Sequence, residues 1–174
     1  ETFTMTWWVY RQSSADGDGD QYAMPLLANT SYSAKNGIIF YVNNHWAANN
    51  AAEGRVSLLT GSGTTQNSNF FQDGAIPDQS KFYHVALVVD GSSKTGEIFV
   101  NGSLVASNAL NSTFAMADKT WRLGMQFDGG QGSFKGFMDD IQIYNEALDD
   151  SDISSLSVNP GSVIPEPSTV AMSA

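Results

Sequence analysis

Glu97-Ile-Phe-Val-Asn-Gly-Ser-Leu-Val-Ala106 is the stretch with the clearest structural signal in the chain. Asn101 and Gly102 lie between two short runs that are rich in β-branched and aromatic residues. Both residue types tolerate the positive φ angles that a type I′ turn requires. The stretch therefore predicts an antiparallel hairpin with its turn at Asn101-Gly102.

The same strand-like alternation extends outward from this hairpin over most of the chain. Residues 2–11 place Phe3 and Trp7 on one side of a strand and Trp8 and Tyr10 on the other, so this strand carries aromatic rings on both faces. Further strands are predicted at residues 22–28, 37–43, 56–60, 82–90, 97–101, 103–107, 121–127 and 134–144. Short strands separated by Gly, Asn, Asp and Ser clusters predict an all-β, two-sheet antiparallel sandwich.

The C-terminal part of the chain departs from this pattern. Asp149 can accept a hydrogen bond from the amide of Asp152, which predicts one short helix with Ile153 and Leu156 on its apolar face. Residues 158–174 contain prolines and lack the periodicity needed to form a core. We therefore expect one domain over residues 1–157 and an extended C-terminal arm over residues 158–174.

Composition excludes several classes of partner. The 174 residues carry a formal net charge of −10, which disfavours nucleic acids and anionic membrane surfaces. The chain has no cysteine, so disulfides and thiolate metal sites are excluded. No apolar run approaches the roughly 20 residues of a membrane-spanning helix, so no membrane insertion is expected.

Four stretches resemble a known family. They are Phe3-Thr-Met-Thr-Trp-Trp-Val9, Phe82-Tyr-His-Val-Ala-Leu-Val-Val-Asp-Gly91, Glu97-Ile-Phe-Val-Asn-Gly102 and Gly136-Phe-Met-Asp-Asp-Ile-Gln-Ile-Tyr-Asn-Glu-Ala-Leu148. In this order they resemble signature strands of the concanavalin A-like, laminin G-type jelly roll. The resemblance implies a jelly-roll fold, with sugar binding as its commonest non-catalytic use.

The arm carries a second resemblance. Val163-Ile-Pro-Glu-Pro-Ser-Thr169 is similar to the Pro-Glu-Pro motif of bacterial C-terminal sorting signals. It implies an extracellular or bacterial cell-surface location, with an anchor removed after export. A proline-containing linker is the alternative.

Catalysis is not expected. Glycoside hydrolases of the resembling fold use two carboxyls, often as Glu-x-Asp-x-x-Glu on one strand, and this pattern is absent from the sequence. His45 and His84 lie in different predicted elements, and the resemblance makes His84 a hydrogen-bonded structural imidazole. We therefore predict that the protein is not an enzyme.

One structural calcium ion is a candidate cofactor. The resemblance implies that Asp139 and Asp140 hold Ca²⁺ together with backbone carbonyls. Asp139 shares strand parity with Ile141 and Ile143, so it is predicted to point into the interior. Asp139 accepting backbone amides at the rim is the alternative.

The run Asp16-Gly-Asp-Gly-Asp20 lacks the glutamate and helices of an EF-hand, which favours a solvated hairpin tip.

Sugar binding and glycosylation also have candidate residues. Trp46, Tyr41 and the amide of Asn44 could form a carbohydrate-binding surface. Trp7, Trp8 and Trp121 are predicted instead to pack within the sandwich. Three Asn-x-Ser/Thr sequons mark possible glycosylation sites at Asn29, Asn101 and Asn111.

Self-assembly is the leading functional hypothesis from the sequence. Members of the resembling family carry a strand before the one at residues 2–11, so we expect an unpaired sheet edge that an arm from another copy can fill. The protein would then be a secreted, non-enzymatic subunit of an extracellular filament, a homo-oligomer or polymer. The alternative is a monomeric, lectin-like domain that binds glycans at the cell surface. The predicted anchors of the arm are Val163, Ile164, Pro165, Pro167, Val170 and Met172.

Overall fold

The computed structural model describes residues 2–12, 24–30, 36–42, 54–61, 66–72, 74–76, 81–110, 116–117, 120–125 and 134–165. Within them the chain forms strands and one helix, and neighbouring strands pair antiparallel. The elements are β1 (Phe3–Arg11), β2 (Met24–Ala28), β3 (Ile38–Val42), β4 (Val56–Gly61), β5 (Gln66–Gln72), β6 (Phe82–Asp90), β7 (Thr95–Val100), β8 (Ser103–Ala109), β9 (Arg122–Leu123), β10 (Gly136–Tyr144) and α1 (Asp150–Val158).

The strands form two five-stranded sheets, which confirms the predicted sandwich. The first sheet has the order β10-β1-β6-β7-β8 and the second β5-β4-β3-β2-β9. Their inner faces share a core in which the indole of Trp7 meets the ring of Phe40 edge-on, with centroids 5.6 Å apart. The strand β1 is hydrogen-bonded on both sides, by β10 and β6, so it contributes no unpaired edge.

Two strands differ from their predictions. The sequence does not predict β5, because Gln, Asn and Ser fill most of its length. In the part of the chain that the structure describes it pairs with β4 alone, which makes it an edge strand, and edge strands are commonly polar. Of the predicted strand at residues 121–127, the structure shows Arg122–Leu123 as strand, at the other edge of the same sheet, and residues 126–127 lie outside the described part of the chain.

The predicted hairpin and helix are confirmed. Asn101 and Gly102 adopt φ angles of 49° and 77°, as a type I′ turn requires. Asp149 caps α1, because its carboxylate accepts from the amides of Ser151 and Asp152, each at 2.9 Å.

The helix α1 covers part of the outer face of the first sheet. A second apolar cluster forms beneath it, and its members are Ala86, Val88, Phe99, Tyr144, Leu148, Ile153 and Leu156. The connection from β10 to α1 is fixed by buried Thr4. The Thr4 hydroxyl donates to the Glu146 carbonyl at 2.8 Å and accepts from the Leu148 amide at 2.9 Å. The site described next lies on the same outer face.

Candidate functional site

A cavity of about 570 Å³ lies on the outer face of the first sheet, where β10, β1 and β6 run side by side. We call it the outer-face cavity. Its lining comes from all three strands and from the chain that follows α1. The lining residues are Trp8, Phe82, Asp139, Asp140, Pro160 and Gly161.

Strand register places the aromatic rings at this cavity. Trp8 lies opposite Asp139 of β10 and His84 of β6. Two residues further along β1, Tyr10 lies between Phe137 and Phe82, with ring centroids 5.7 and 5.3 Å away. Phe137 and Phe82 are 57% and 43% exposed. The three rings therefore form an aromatic row, Phe137-Tyr10-Phe82, that extends from the cavity.

A bulge in β10 sets the direction of the acidic side chains. Thr6 pairs with Gln142 but Trp8 pairs with Asp139, so one residue of β1 faces two of β10. Asp140 occupies the bulge with a φ of 50°. Because a bulge reverses the alternation of side chains, Asp139 faces outward, while Ile143, opposite Met5, lies on the inner side.

The prediction that Asp139 points into the interior is therefore wrong. It assumed uninterrupted alternation from Asp139 to Ile143, and the bulge breaks this alternation. Asp139 is exposed beside the cavity, and even Ile143 is 69% exposed at the sheet edge.

Residues 159–165, the arm segment, pack against their own domain along β10. The Asp140 carboxylate accepts from the Gly161 amide at 2.7 Å, and Gln142 Nε2 donates to the Ser162 carbonyl at 2.7 Å. The Ile164 amide donates to the Tyr144 hydroxyl at 3.2 Å, and the Ile164 side chain joins the cluster beneath α1. The arm segment thus forms one wall of the outer-face cavity.

The predicted assembly anchors divide into three groups. Ile164 is held by its own domain, whereas Val163 and Pro165 are exposed. Pro167, Val170 and Met172 lie outside the described residues. Assembly through the arm is therefore still a prediction.

His84 lies directly behind the cavity wall. Its ring is 5.5 Å from that of Trp8, centroid to centroid, and the residue is 2% exposed. Burial lowers the pKa of His84 to about 4, although the negative charge of Asp140 acts in the opposite direction. The burial of His84 fits a structural role, but the prediction of a hydrogen-bonded imidazole is not met at Nδ1, which has no hydrogen-bond partner among the described residues. The imidazole is neutral at pH 7.

The neutral state of His84 predicts a pH dependence of stability. Between pH 6.5 and about 4 the unfolded chain takes up a proton on His84 and the folded chain does not, so stability falls as pH falls. The loss reaches at most roughly 3 kcal/mol near pH 4. Urea unfolding at several pH values measures it, with His84→Phe as the comparison because a ring is kept against Trp8. Equal slopes for both proteins over this range would contradict the prediction.

The described residues around Asp139 and Asp140 offer few free ligands for calcium. The two oxygens of Asp140 accept from Gly161 and Gln142, and Oδ1 of Asp139 accepts from the Asp140 amide. Ca²⁺ takes about six to eight oxygen ligands. Nowhere in the described residues do three or more His, Cys, Asp or Glu side chains converge. Calcium binding stays a prediction.

The residues predicted to bind sugar are not brought together. Tyr41 is 2% exposed and packs with Ala28, Ile39 and Leu59, so its ring cannot serve as a platform, and that part of the prediction is wrong. Trp46 and Asn44 lie outside the described residues, as does the run Asp16-Gly-Asp-Gly-Asp20.

Two of the three sequons fall in the described part of the chain. Asn29 is buried, and its Oδ1 accepts from the Ile38 amide at 2.8 Å, so the folded protein leaves no room for a glycan there. Asn101 is an exposed turn residue whose Oδ1 accepts from the His84 amide at 3.0 Å. Asn111 is outside the described residues. Glycosylation is untested at both Asn101 and Asn111.

The tryptophans predicted to pack within the sandwich behave differently from one another. Trp7 is in the core, Trp8 is half-buried at the outer-face cavity, and Trp121 is exposed beside Phe3. Trp121 and Phe3 line a second, smaller cavity of about 400 Å³ at the sandwich edge. The sequence feature that could have indicated a surface site at Trp8 is the presence of aromatic rings on both faces of β1.

Sequence comparison decides the family of this chain. A laminin G family model, described as the concanavalin A-like lectin/glucanases superfamily, matches residues 1–154. The chain belongs to this superfamily. As a member of the concanavalin A-like superfamily, it has the jelly-roll fold that the four signature stretches predict. A search of curated protein sequences found no match to it.

Solved structures of the concanavalin A-like fold resemble the chain closely. The Ruminococcus gnavus IT-sialidase CBM40 superposes with a TM-score of 0.68 at 20% identity, covering 90% of this chain and 83% of its own. The same CBM40 has been solved with α2,3-sialyllactose bound.

Two further structures extend the comparison. The heptameric SAP-like pentraxin from Limulus polyphemus gives a TM-score of 0.64 at 17% identity, covering 90% of this chain and 69% of the pentraxin. Domain 4 of AbnA, an extracellular arabinanase from Geobacillus stearothermophilus solved with arabinotriose, gives 0.60 at 19% identity, with coverage of 90% and 66%. At these identities the likeness shows the fold alone. Within the described residues of this chain, no helix is long and apolar enough to span a membrane.

Proposed function

We propose that this chain is a non-catalytic carbohydrate-binding domain that binds its glycan in the outer-face cavity. The observation that carries the proposal is the placement of Trp8 and Phe82 beside the carboxylates of Asp139 and Asp140. The apolar face of a sugar ring packs on aromatic side chains, while its hydroxyls donate to carboxylate oxygens. A volume of about 570 Å³ is within the usual range of ligand sites.

The aromatic row supports binding of more than one sugar unit. Phe82 belongs both to the cavity lining and to the row, so the two surfaces are continuous. Tyr10 and Phe137 extend the apolar surface away from the acidic wall. An oligosaccharide seated in the cavity would continue along these rings.

The placement of the acidic residues favours binding over hydrolysis. Glycosidases need two carboxyl groups about 5 to 10 Å apart on opposite sides of the scissile bond. Asp139 and Asp140 are neighbours on β10 and belong to one wall of the cavity. Both oxygens of Asp140 are also engaged by the chain itself. We therefore propose that the domain retains glycans without cleaving them.

An extracellular location is part of this proposal. One structural neighbour, AbnA, is named as an extracellular enzyme. The resemblance to an export motif at residues 163–169 points the same way. Filament assembly receives less support, because Ile164 and the backbone of Gly161 and Ser162 are bound by their own domain.

Phe82→Ala tests the site. The exposed ring can be removed without opening the core, and we expect about a tenfold loss of affinity, since losing a packed ring costs at least about 1.4 kcal/mol. Isothermal titration calorimetry against arabinotriose, sialyllactose and glucosamine oligomers measures it. Leu104→Ala, which removes an exposed apolar side chain from the far edge strand β8, is the matched control.

Two results would contradict the proposed function. One is the absence of binding to any glycan in the panel at millimolar concentration. The other is equal affinity of Phe82→Ala and Leu104→Ala, which would place the glycan elsewhere on the domain.

A further inference from the structure

We propose that the outer-face cavity selects an amino sugar, a ring that carries a protonated amine, over neutral and anionic sugars. The inference rests on the proposed carbohydrate-binding function and specifies its ligand class. It goes beyond the family and its structural neighbours, because it follows from the charges and rings that this chain places at the cavity.

The lining of the cavity is negatively charged. Asp139 and Asp140 are its only ionisable lining residues in the described part of the chain. The nearest basic residue in sequence, Lys81, precedes Phe82, but its ammonium lies over the ring of Tyr83, 5.3 Å from the centroid. Tyr83 pairs with Val9 and belongs to the core between the sheets, so Lys81 is directed away from the cavity.

His84 does not neutralise these carboxylates. Burial keeps the pKa of this residue near 4, so at pH 7 its imidazole adds no positive charge behind the wall. The Gly161 amide, which lines the cavity beside the carboxylates, already donates to Asp140. Among the described lining residues, an anionic sugar would therefore meet two carboxylates and no cation.

Asp139 is the carboxylate available to a ligand. It is exposed, and Oδ1 accepts only from the neighbouring Asp140 amide, at 2.8 Å. Its other oxygen has no hydrogen bond within the described residues. A protonated amine would form a charge-assisted bond there, which is shorter and roughly twice as strong as a bond to a neutral hydroxyl.

The aromatic side chains that line the cavity also favour a positively charged ligand. Trp8 and Phe82 line the cavity together with the two carboxylates. A cation within about 6 Å of a ring centroid is attracted to the ring face, and tryptophan is the most favourable partner. A protonated amine on the ligand can therefore contact a protein carboxylate and an aromatic ring at once. A ligand hydroxyl gains only the hydrogen bond to the carboxylate. A carboxylate on the ligand is repelled by the protein carboxylates and by the ring faces.

The field of the whole protein acts in the same direction. With 18 acidic and 8 basic residues, the chain attracts cationic ligands and repels anionic ones. Attraction of this kind is general, so it does not by itself define a site. The experiment must therefore separate the contribution of Asp139 from that of the net charge.

The test compares four trisaccharide-sized probes by calorimetry at pH 6.5: a glucosamine trimer, its N-acetylated form, arabinotriose and sialyllactose. The glucosamine trimer is expected to bind about tenfold more tightly than its N-acetylated form, since acetylation removes the charge but keeps the ring. Affinity for the charged trimer should fall with added salt, while affinity for the neutral probes should not.

Two variants test whether Asp139 is responsible for the preference for the free amine. Asp139→Asn keeps the Oδ1 acceptor but removes the charge, and it should remove most of the preference for the free amine. Asp150→Asn changes the net charge equally at an exposed residue in the first turn of α1, and it should leave the preference unchanged. The thermal melting temperature of both variants is measured first to confirm that they fold.

The outcomes separate this inference from the proposed function. If the N-acetylated trimer binds as tightly as the free amine, or if Asp139→Asn and Asp150→Asn lose the preference equally, amine selection is wrong. Glycan binding itself stands in that case, provided Phe82→Ala weakens it. If none of the four probes binds, both the function and the inference are wrong.

Discussion

Gly136→Ala is expected to destabilise the folded protein by about 3 to 5 kcal/mol, combining backbone strain with overpacking. A Cβ at this position would lie 2.0 Å from the Tyr10 carbonyl oxygen and 2.8 Å from Cζ of Phe134. The carbonyl belongs to β1, so it cannot move without disturbing the pairing of β1 with β10. The φ of 155° also disfavours a side chain. Urea unfolding measures the change.

Gly74→Ala is the matched control for this substitution. Gly74 also has a positive φ, of 64°, but a Cβ there would meet no atom of the described residues within 4 Å. Its cost is therefore limited to backbone strain of about 1 to 2 kcal/mol. If the two substitutions destabilise the protein equally, β1 and β10 do not approach each other at Gly136 closely enough to exclude a side chain.

Trp7→Ala is expected to cost about 3 to 5 kcal/mol, the usual range for removing a large ring from a core. Trp7 is fully buried between the sheets, against Phe40. Removing the indole would leave a cavity in the centre of the sandwich. Unfolding by urea, followed by circular dichroism, measures the loss.

Trp7→Phe separates the packing of the Trp7 ring from any contribution of its indole nitrogen. The indole nitrogen of Trp7 has no hydrogen-bond partner in the described residues, so phenylalanine removes no bond and keeps most of the ring volume. We expect it to cost less than half as much as Trp7→Ala. Equal losses would show that the indole nitrogen, and not the ring, stabilises the core.

Much of the fold could be predicted from the sequence because its signals are local. Asn101 and Gly102 need no distant partner to favour a tight turn, and Asp149 caps a helix that begins one residue later. The alternate residues Met5, Trp7 and Val9 of β1 all enter the core between the sheets, as the period of two predicts. The strand β5 could not be found in this way, because an edge strand rich in polar residues lacks such alternation.

The candidate site could not be predicted because it depends on long-range register. Its lining residues are far apart in the sequence and meet only through strand pairing and the docking of the arm segment. Examples are Trp8, Phe82, Asp139 and Gly161. The direction of Asp139 depends on a bulge of a single residue. Simple alternation along β10 therefore gave the wrong face, and the local cluster of aromatic and amide residues at positions 41–46 predicted a sugar site there instead.

The arm segment has a consequence for how this domain would be used. Pro160 and Gly161 line the outer-face cavity, and Pro165, four residues further along the arm segment, is exposed. A group attached at residue 165 would consequently lie close to a polysaccharide bound in the proposed site. A fluorescent dye placed there would be well positioned to report its arrival.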